Sequence, residues 1–177
     1  LHARQMGEGL ITVDMGTPQL EWQAIPLARE MDTLALDYKI DELPKPVAVS
    51  MGNPHVVFFV EDVEAVDLYA LGPRIEHDPL FPERCNVQFV QRLPDGSLKH
   101  RIWERGAGAT HASGSSACAV IVAAVRRGII DGRSALLRQP GGLLRMEWRE
   151  SDGHVQMTGP ATDVFTGELN AEVLGVA

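Results

Sequence analysis

The longest uninterrupted apolar run in the sequence, Ala117–Val125 (ACAVIVAAV), constrains most of what this chain can fold into. Ser115 and Ser116 precede it, and their hydroxyls can cap the free N–H groups of a helix start. Arg126 and Arg127 follow it and suit the negative end of a helix dipole, and Gly128 can end the helix. The pattern predicts a helix from Ser115 to about Arg127. Its middle, Ala119–Val125, is apolar on every side, so no face of it can be left to water. The rest of the chain must surround it. With 177 residues, 45% of them hydrophobic, there is enough chain for one sizeable core, and a single domain over residues 1–177 is expected.

The material for that enclosure is mostly β. Leu10–Met15 alternates like a half-buried strand and stops at Gly16 and Pro18, while residues 17–45 read as irregular. Pro46–Met51 and His55–Val60 are β-rich runs on either side of Gly52, Asn53 and Pro54. Asn86–Arg92 and Leu98–Glu104 flank Pro94-Asp95-Gly96, where Pro presets φ and Gly accepts positive φ; this predicts a hairpin. Further strand-like runs lie at Ala135–Arg138, Leu143–Arg149, His154–Thr158 and Asp163–Leu169, with a turn at Ser151-Asp152-Gly153. Asp67–His77 has helical spacing, but Gly72-Pro73 interrupts it and predicts two short helical pieces. The sum is an α+β fold: a mostly antiparallel sheet, curled or closed into a barrel, round one central helix.

Several function classes are disfavoured. The net charge is −8, from 16 basic and 24 acidic residues with no basic block, which argues against nucleic acid or an anionic membrane surface as partner. The apolar run is far short of the ~20 residues a membrane span needs. No charged-then-apolar leader is visible, and Cys85 and Cys118 fit reduced thiols better than a disulfide scaffold, so a cytosolic location is expected. The six histidines are scattered without metal-ligand spacing, and no metal is expected.

The segment ahead of the helix, ERGAGATHASGSS (104–116), is the richest in chemistry. It is a poor dinucleotide loop, because His111 stands where the third glycine of G-x-G-x-x-G belongs. It is a poor nucleophile elbow, because the last glycine of G-x-S-x-G is replaced by Cys118. Its glycines and the N–H groups of Gly114, Ser115 and Ser116 suit a carboxylate at a helix N-terminus, with Arg105 as a bidentate clamp. Capping of a core helix, with Glu104 and Arg105 as a solvated pair, explains the same residues equally well. Asn53-Pro54-His55 and Asn86 read locally as turn and strand-start residues.

Taken together, four ordered stretches carry a resemblance: MGNPHVVFFV (51–60), LYALGPRIEHDPLFPERCNVQFVQ (68–91), WERGAGATHASGSSACA (103–119) and HVQMTGPATDVFTGEL (154–169). In order and spacing they resemble the C-terminal half of the diaminopimelate epimerase family, and VDMGTP (13–18) resembles the start of that half. The resemblance implies a cofactor-independent epimerase that interconverts LL- and meso-diaminopimelate for lysine and wall peptide. It further implies a substrate held between two pseudo-symmetric domains, a partner N-terminal half bearing its own catalytic cysteine, and a homodimer. By the same resemblance Gly114 and Ser115 offer backbone N–H groups to the substrate carboxylate. Asn53, Asn86, Glu104 and Arg105 hold its polar groups, and His55 and Glu104 adjust the acid–base group.

One position departs from the family pattern. The family's acid–base group is a cysteine, whereas Ser113 occupies its place here. A thiol can be tuned to a thiolate near neutrality; a serine hydroxyl cannot. Cys118 lies five residues on, roughly 7 Å along the helix axis, and reads as a small buried hydrophobe. An engineered Cys→Ser change, a natural variant, and a related racemase using a different pair of groups all stand open. The isolated chain is expected to be inactive.

Overall fold

The computed structural model describes residues 1–7 and 9–170. In chain order its elements are β1 (His2–Gly7), β2 (Leu10–Asp14), β3 (Val47–Ser50), β4 (Pro54–Phe59), α1 (Leu68–Glu76), β5 (Asn86–Arg92), β6 (Leu98–Glu104) and β7 (Gly108–Thr110). Then follow α2 (Gly114–Arg126), β8 (Ser134–Gln139), β9 (Gly142–Trp148) and β10 (Val155–Pro160). The strands form one mixed sheet in the order β1-β2-β10-β9-β8-β6-β5-β4-β3, with β7 paired to β6 off this path. Most pairings are antiparallel, as expected, but β4–β5 and β6–β8 are parallel. The β5–β6 hairpin is present, running from Val87 opposite Trp103 to Arg92 opposite Leu98.

The sheet does not close into a barrel. The outer edge of β3 is occupied by the irregular 17–45 segment: Gln19 and Ser50 exchange backbone hydrogen bonds of 2.9 and 3.0 Å, and the Ala48 N–H donates to the Thr33 carbonyl at 2.8 Å. An edge already satisfied by a loop has no free ladder to offer another strand.

Strands β3, β4 and β5 are buried on both faces, which is why they read as apolar runs rather than as alternation. Val47, Val49, Val57 and Val90 pack with α2, while Ala48, Val56, Phe58, Val87 and Phe89 pack with α1 and the 17–45 segment. Helix α2 is enclosed as its composition requires: Ser116–Ala124 are all buried, and β3, β4, β5, β8, β9 and β10 lie against it.

Four expectations need correction. The helix over 67–77 is one piece: Asp67 Oδ1 caps the Ala70 N–H, and burial of Leu68, Leu71 and Ile75 outweighs the single backbone bond that Pro73 removes. Gly72 is needed there for close approach, since a Cβ would collide with the Trp103 ring. No serine hydroxyl caps α2; Ser113, not Ser115, is the residue at the cap position, and its side chain leaves the helix N–H groups free. Asp163–Leu169 is not a strand: it has no ladder partner among the described residues, and Phe165 is 87% exposed. Finally, β1 was not expected; it is exposed throughout, so it carries no alternation to read.

Candidate active site

The N-terminus of α2 is the natural centre of the site. Ser113 sits at the cap in an extended conformation (φ −149°, ψ 120°) and its carbonyl accepts the Ala117 N–H at 3.0 Å. The Ser113 N–H donates to Gln139 Oε1 at 3.1 Å. The next N–H groups, of Gly114, Ser115 and Ser116, belong to the first helical turn, where no intrahelical acceptor exists. They therefore present partial positive charge from an otherwise apolar helix, the arrangement that receives a carboxylate.

Facing this turn is a hydrogen-bonded set from β4 and β5. His55 is fully buried; its Nε2 lies 2.9 Å from Asn53 Oδ1 and its Nδ1 lies 3.1 Å from Gln88 Nε2. Gln88 Nε2 also donates to Ser116 Oγ at 3.0 Å, and Asn53 Nδ2 reaches Ser115 Oγ at 3.5 Å. Burial, with the Arg105 charge adding to it, lowers the His55 pKa to about 3, so the ring is neutral at ordinary pH. The structure thus brings Asn53, His55 and Ser115 together, and it adds Gln88, which the sequence reading missed. Nothing local marks Gln88: it lies in an apolar strand and gains meaning only from residues 33 and 28 positions away.

Asn86 and Arg105 form a second group at the end of β6. Asn86 Nδ2 donates to the Pro54 carbonyl at 2.9 Å, and its Oδ1 accepts the Arg105 N–H at 3.0 Å. Asn86 therefore ties the 53–54 turn to the 104–106 turn. The Arg105 guanidinium is held by the Glu83 carbonyl at 2.9 Å and is exposed. Glu104 ends β6 opposite Gly108, its carbonyl accepting the Ala107 N–H at 3.0 Å. Behind the loop the buried Glu76 carboxylate takes the Trp103 Nε1–H at 2.7 Å and the Gly106 N–H at 2.9 Å. Glu76 is another anchor that spacing alone does not reveal.

Ser113 and Gly114 line a cavity of about 270 Å³ together with Gln139, Gly141, Leu144 and Met157. Gln139 Oε1 is shared between the Ser113 N–H and His100 Nε2, the latter at 3.1 Å. Burial lowers the His100 pKa to about 4 against that hydrogen bond, so this ring too is neutral. Cys118 is fully buried, and burial pushes its thiol up to about 12; it can supply no thiolate near neutrality. Ser116 is equally buried and accepts from Gln88, which removes it as a hydrolytic nucleophile. Among the described residues no three His, Cys, Asp or Glu side chains converge on a point that could hold a metal ion. What remains is a helix start with free N–H groups, flanked by neutral, hydrogen-bonded side chains and the Ser113 hydroxyl.

Comparison with known proteins gives the arrangement a context. The chain is 51% identical to a diaminopimelate epimerase of Rhodospirillum centenum over 98% of its own length and 59% of the relative's. It is 53% identical to one of Zymomonas mobilis over 96% of its length and 62% of the relative's. The chain thus spans about three-fifths of the curated relatives it matches. Among solved structures, a probable proline racemase of Agrobacterium radiobacter superposes with a TM-score of 0.60 at 14% identity, covering 98% of this chain and 61% of that one. A hydroxyproline epimerase of Agrobacterium vitis superposes with a TM-score of 0.57 at 16% identity, covering 89% and 52%. These two likenesses establish the fold. The sequence profile described as diaminopimelate epimerase matches residues 47–164, a span that includes the helix N-terminus and the strands around it, and the chain belongs to that family.

Proposed function

We propose that this chain is the C-terminal domain of a cofactor-independent diaminopimelate epimerase, a cytoplasmic isomerase that interconverts the LL and meso forms by two-base transfer of the α-proton. The observation that carries the reading is the uncapped N-terminus of α2, facing Asn53 and His55, in a chain half identical to such enzymes. Inverting an α-carbon needs one group to take the proton and another, on the opposite face, to return it. Without an electron sink, the developing negative charge must be met by hydrogen-bond donors around the carboxylate. The Gly114 and Ser115 N–H groups supply such donors. Arg105, Asn53 and Asn86 hold the polar ends of the amino acid, and Glu104 and the neutral His55 shape the field at Ser113. Strands β3, β4, β5, β8, β9 and β10 against α2 support a sheet curled about that helix, which keeps water from all but its two ends.

The second proton-transfer group belongs to the partner N-terminal half, and the complete protein pairs as a homodimer. Ser113 leaves the present face without its own group, so the chain alone holds substrate but does not turn it over. The test is deuterium wash-in: diaminopimelate is incubated in heavy water with this chain, and with a chain carrying both halves and Ser113→Cys. Exchange at the α-carbon is expected only in the second. Exchange in the first would refute the role given to Ser113. Its absence in both, with tight binding retained, would favour a binding module, the reading that the serine itself recommends.

A further inference from the structure

Gln88 stands outside the roles assigned so far, yet it makes one of the two side-chain hydrogen bonds of the His55 ring. Its Nε2 lies 3.1 Å from His55 Nδ1 and 3.0 Å from Ser116 Oγ, so both amide hydrogens have acceptors. Its Oε1 is buried without a partner. A buried acceptor left unpaired is a cost to folding, so a packing role alone would be better filled by an apolar side chain of similar length. The two donors are what the carboxamide contributes.

Those donors dictate the state of the neighbouring ring. A neutral imidazole has one N–H and one bare nitrogen. With an amide hydrogen directed at Nδ1, that nitrogen must be the bare one, and the proton sits on Nε2, where it donates to Asn53 Oδ1 at 2.9 Å. The Asn53 carboxamide then has its oxygen committed to His55 and its NH₂ group directed toward the start of α2, where Nδ2 already approaches Ser115 Oγ. We infer that Gln88 is a positioning residue: it fixes His55 as the Nε2–H tautomer and thereby turns the Asn53 N–H groups, rather than its oxygen, toward the substrate carboxylate. The last step rests on the substrate-binding role proposed above for Asn53.

The tautomer is read without ligand, by long-range proton–nitrogen correlation of the histidine rings in nitrogen-15-labelled protein at neutral pH. Wild type is expected to show His55 with bare Nδ1 and protonated Nε2, and a through-hydrogen-bond coupling from Nε2–H to the Asn53 carboxamide carbon. A proton on Nδ1 in wild type would overturn the inference outright. Gln88→Glu places an acceptor at Nδ1 and is expected to put a proton there. Gln88→Met removes the donor while keeping the length, and is expected to give mixed tautomers and about tenfold weaker diaminopimelate binding at an unchanged melting temperature. A His55 spectrum unmoved in both variants would equally overturn the assignment. Failure of the wild type to bind diaminopimelate would count against the proposed function and leave the tautomer result standing.

Discussion

The two ends of α2 are finished in opposite ways. At the C-terminal end the Ala123, Ala124 and Val125 carbonyls all have backbone partners. The Gly128 N–H bonds the Val125 carbonyl at 3.1 Å and the Ile129 N–H bonds the Ala124 carbonyl at 2.9 Å, with Gly128 at φ +63° making the turn possible. Arg126 reaches the Ala48 carbonyl and Thr33 Oγ1, and Arg127 reaches the Leu34 carbonyl. At the N-terminal end the cap side chain accepts no hydrogen bond from the helix, and polar side chains gather around the free N–H groups without satisfying them. One end is closed by the molecule's own groups, and the other is left open where the proposed function puts the ligand. The same helix carries both because its middle is anchored on all sides.

That contrast can be broken experimentally. The largest effect is expected from Ser113→Cys in a chain carrying both halves: proton transfer at a positioned group contributes about 10²–10⁴-fold, and kcat should rise by that order in an epimerisation assay. Arg105→Ala should weaken diaminopimelate binding by about 10–100-fold in calorimetry, the worth of a charge-assisted hydrogen bond, while the melting temperature holds. Its guanidinium is exposed, so packing is not at stake.

Acid should act at the open end. His55 and His100 flank it with pKa values lowered to about 3 and about 4, so between those values and the ordinary 6.5 the unfolded chain binds more protons than the folded one. Stability is therefore full above about pH 6.5 and falls as pH drops below it, by about 2 kcal/mol from pH 6 to pH 5 for the pair, measured as a shift in urea midpoint. The smallest effect should come from Gly128→Ala, which forces a side chain into positive φ at the closed end and should cost about 1–2 kcal/mol in unfolding free energy without altering ligand affinity. Loss of binding in that variant would show that the two ends are not independent.

Much of this architecture was legible because burial leaves a compositional trace. The all-round apolar α2, the runs of β3, β4 and β5, and the Pro-Asp-Gly hairpin follow from residue type alone. The parallel β4–β5 pairing did not, since Val56 opposite Val87 reads no differently from an antiparallel match. Asp163–Leu169 was misread because Val164, Phe165 and Leu169 imitate a strand face although all three are exposed. At the site, the residues carried by motif resemblance were the readable ones, and Asn53, His55 and Ser115 do meet. Gln88, Gln139 and Glu76 were not readable, because each acts through a partner distant in sequence and sits in a segment whose pattern already had a sufficient explanation in packing.

The register of β4 on β5, which sets His55 beside Asn86, has a consequence for how the site comes into being. The hydrogen bonds that join Asn53 to Ser115, His55 to Gln88 and Gln88 to Ser116 close chain intervals of 62, 33 and 28 residues. Contacts of that separation form late, after the chain entropy of each interval has been lost. A nascent or partly opened molecule can hold α2 as a helix and still lack the polar side chains gathered at its tip. Under the function proposed above, ligand affinity would be an all-or-none report on the finished topology, and amino-acid binding during refolding would time its last step.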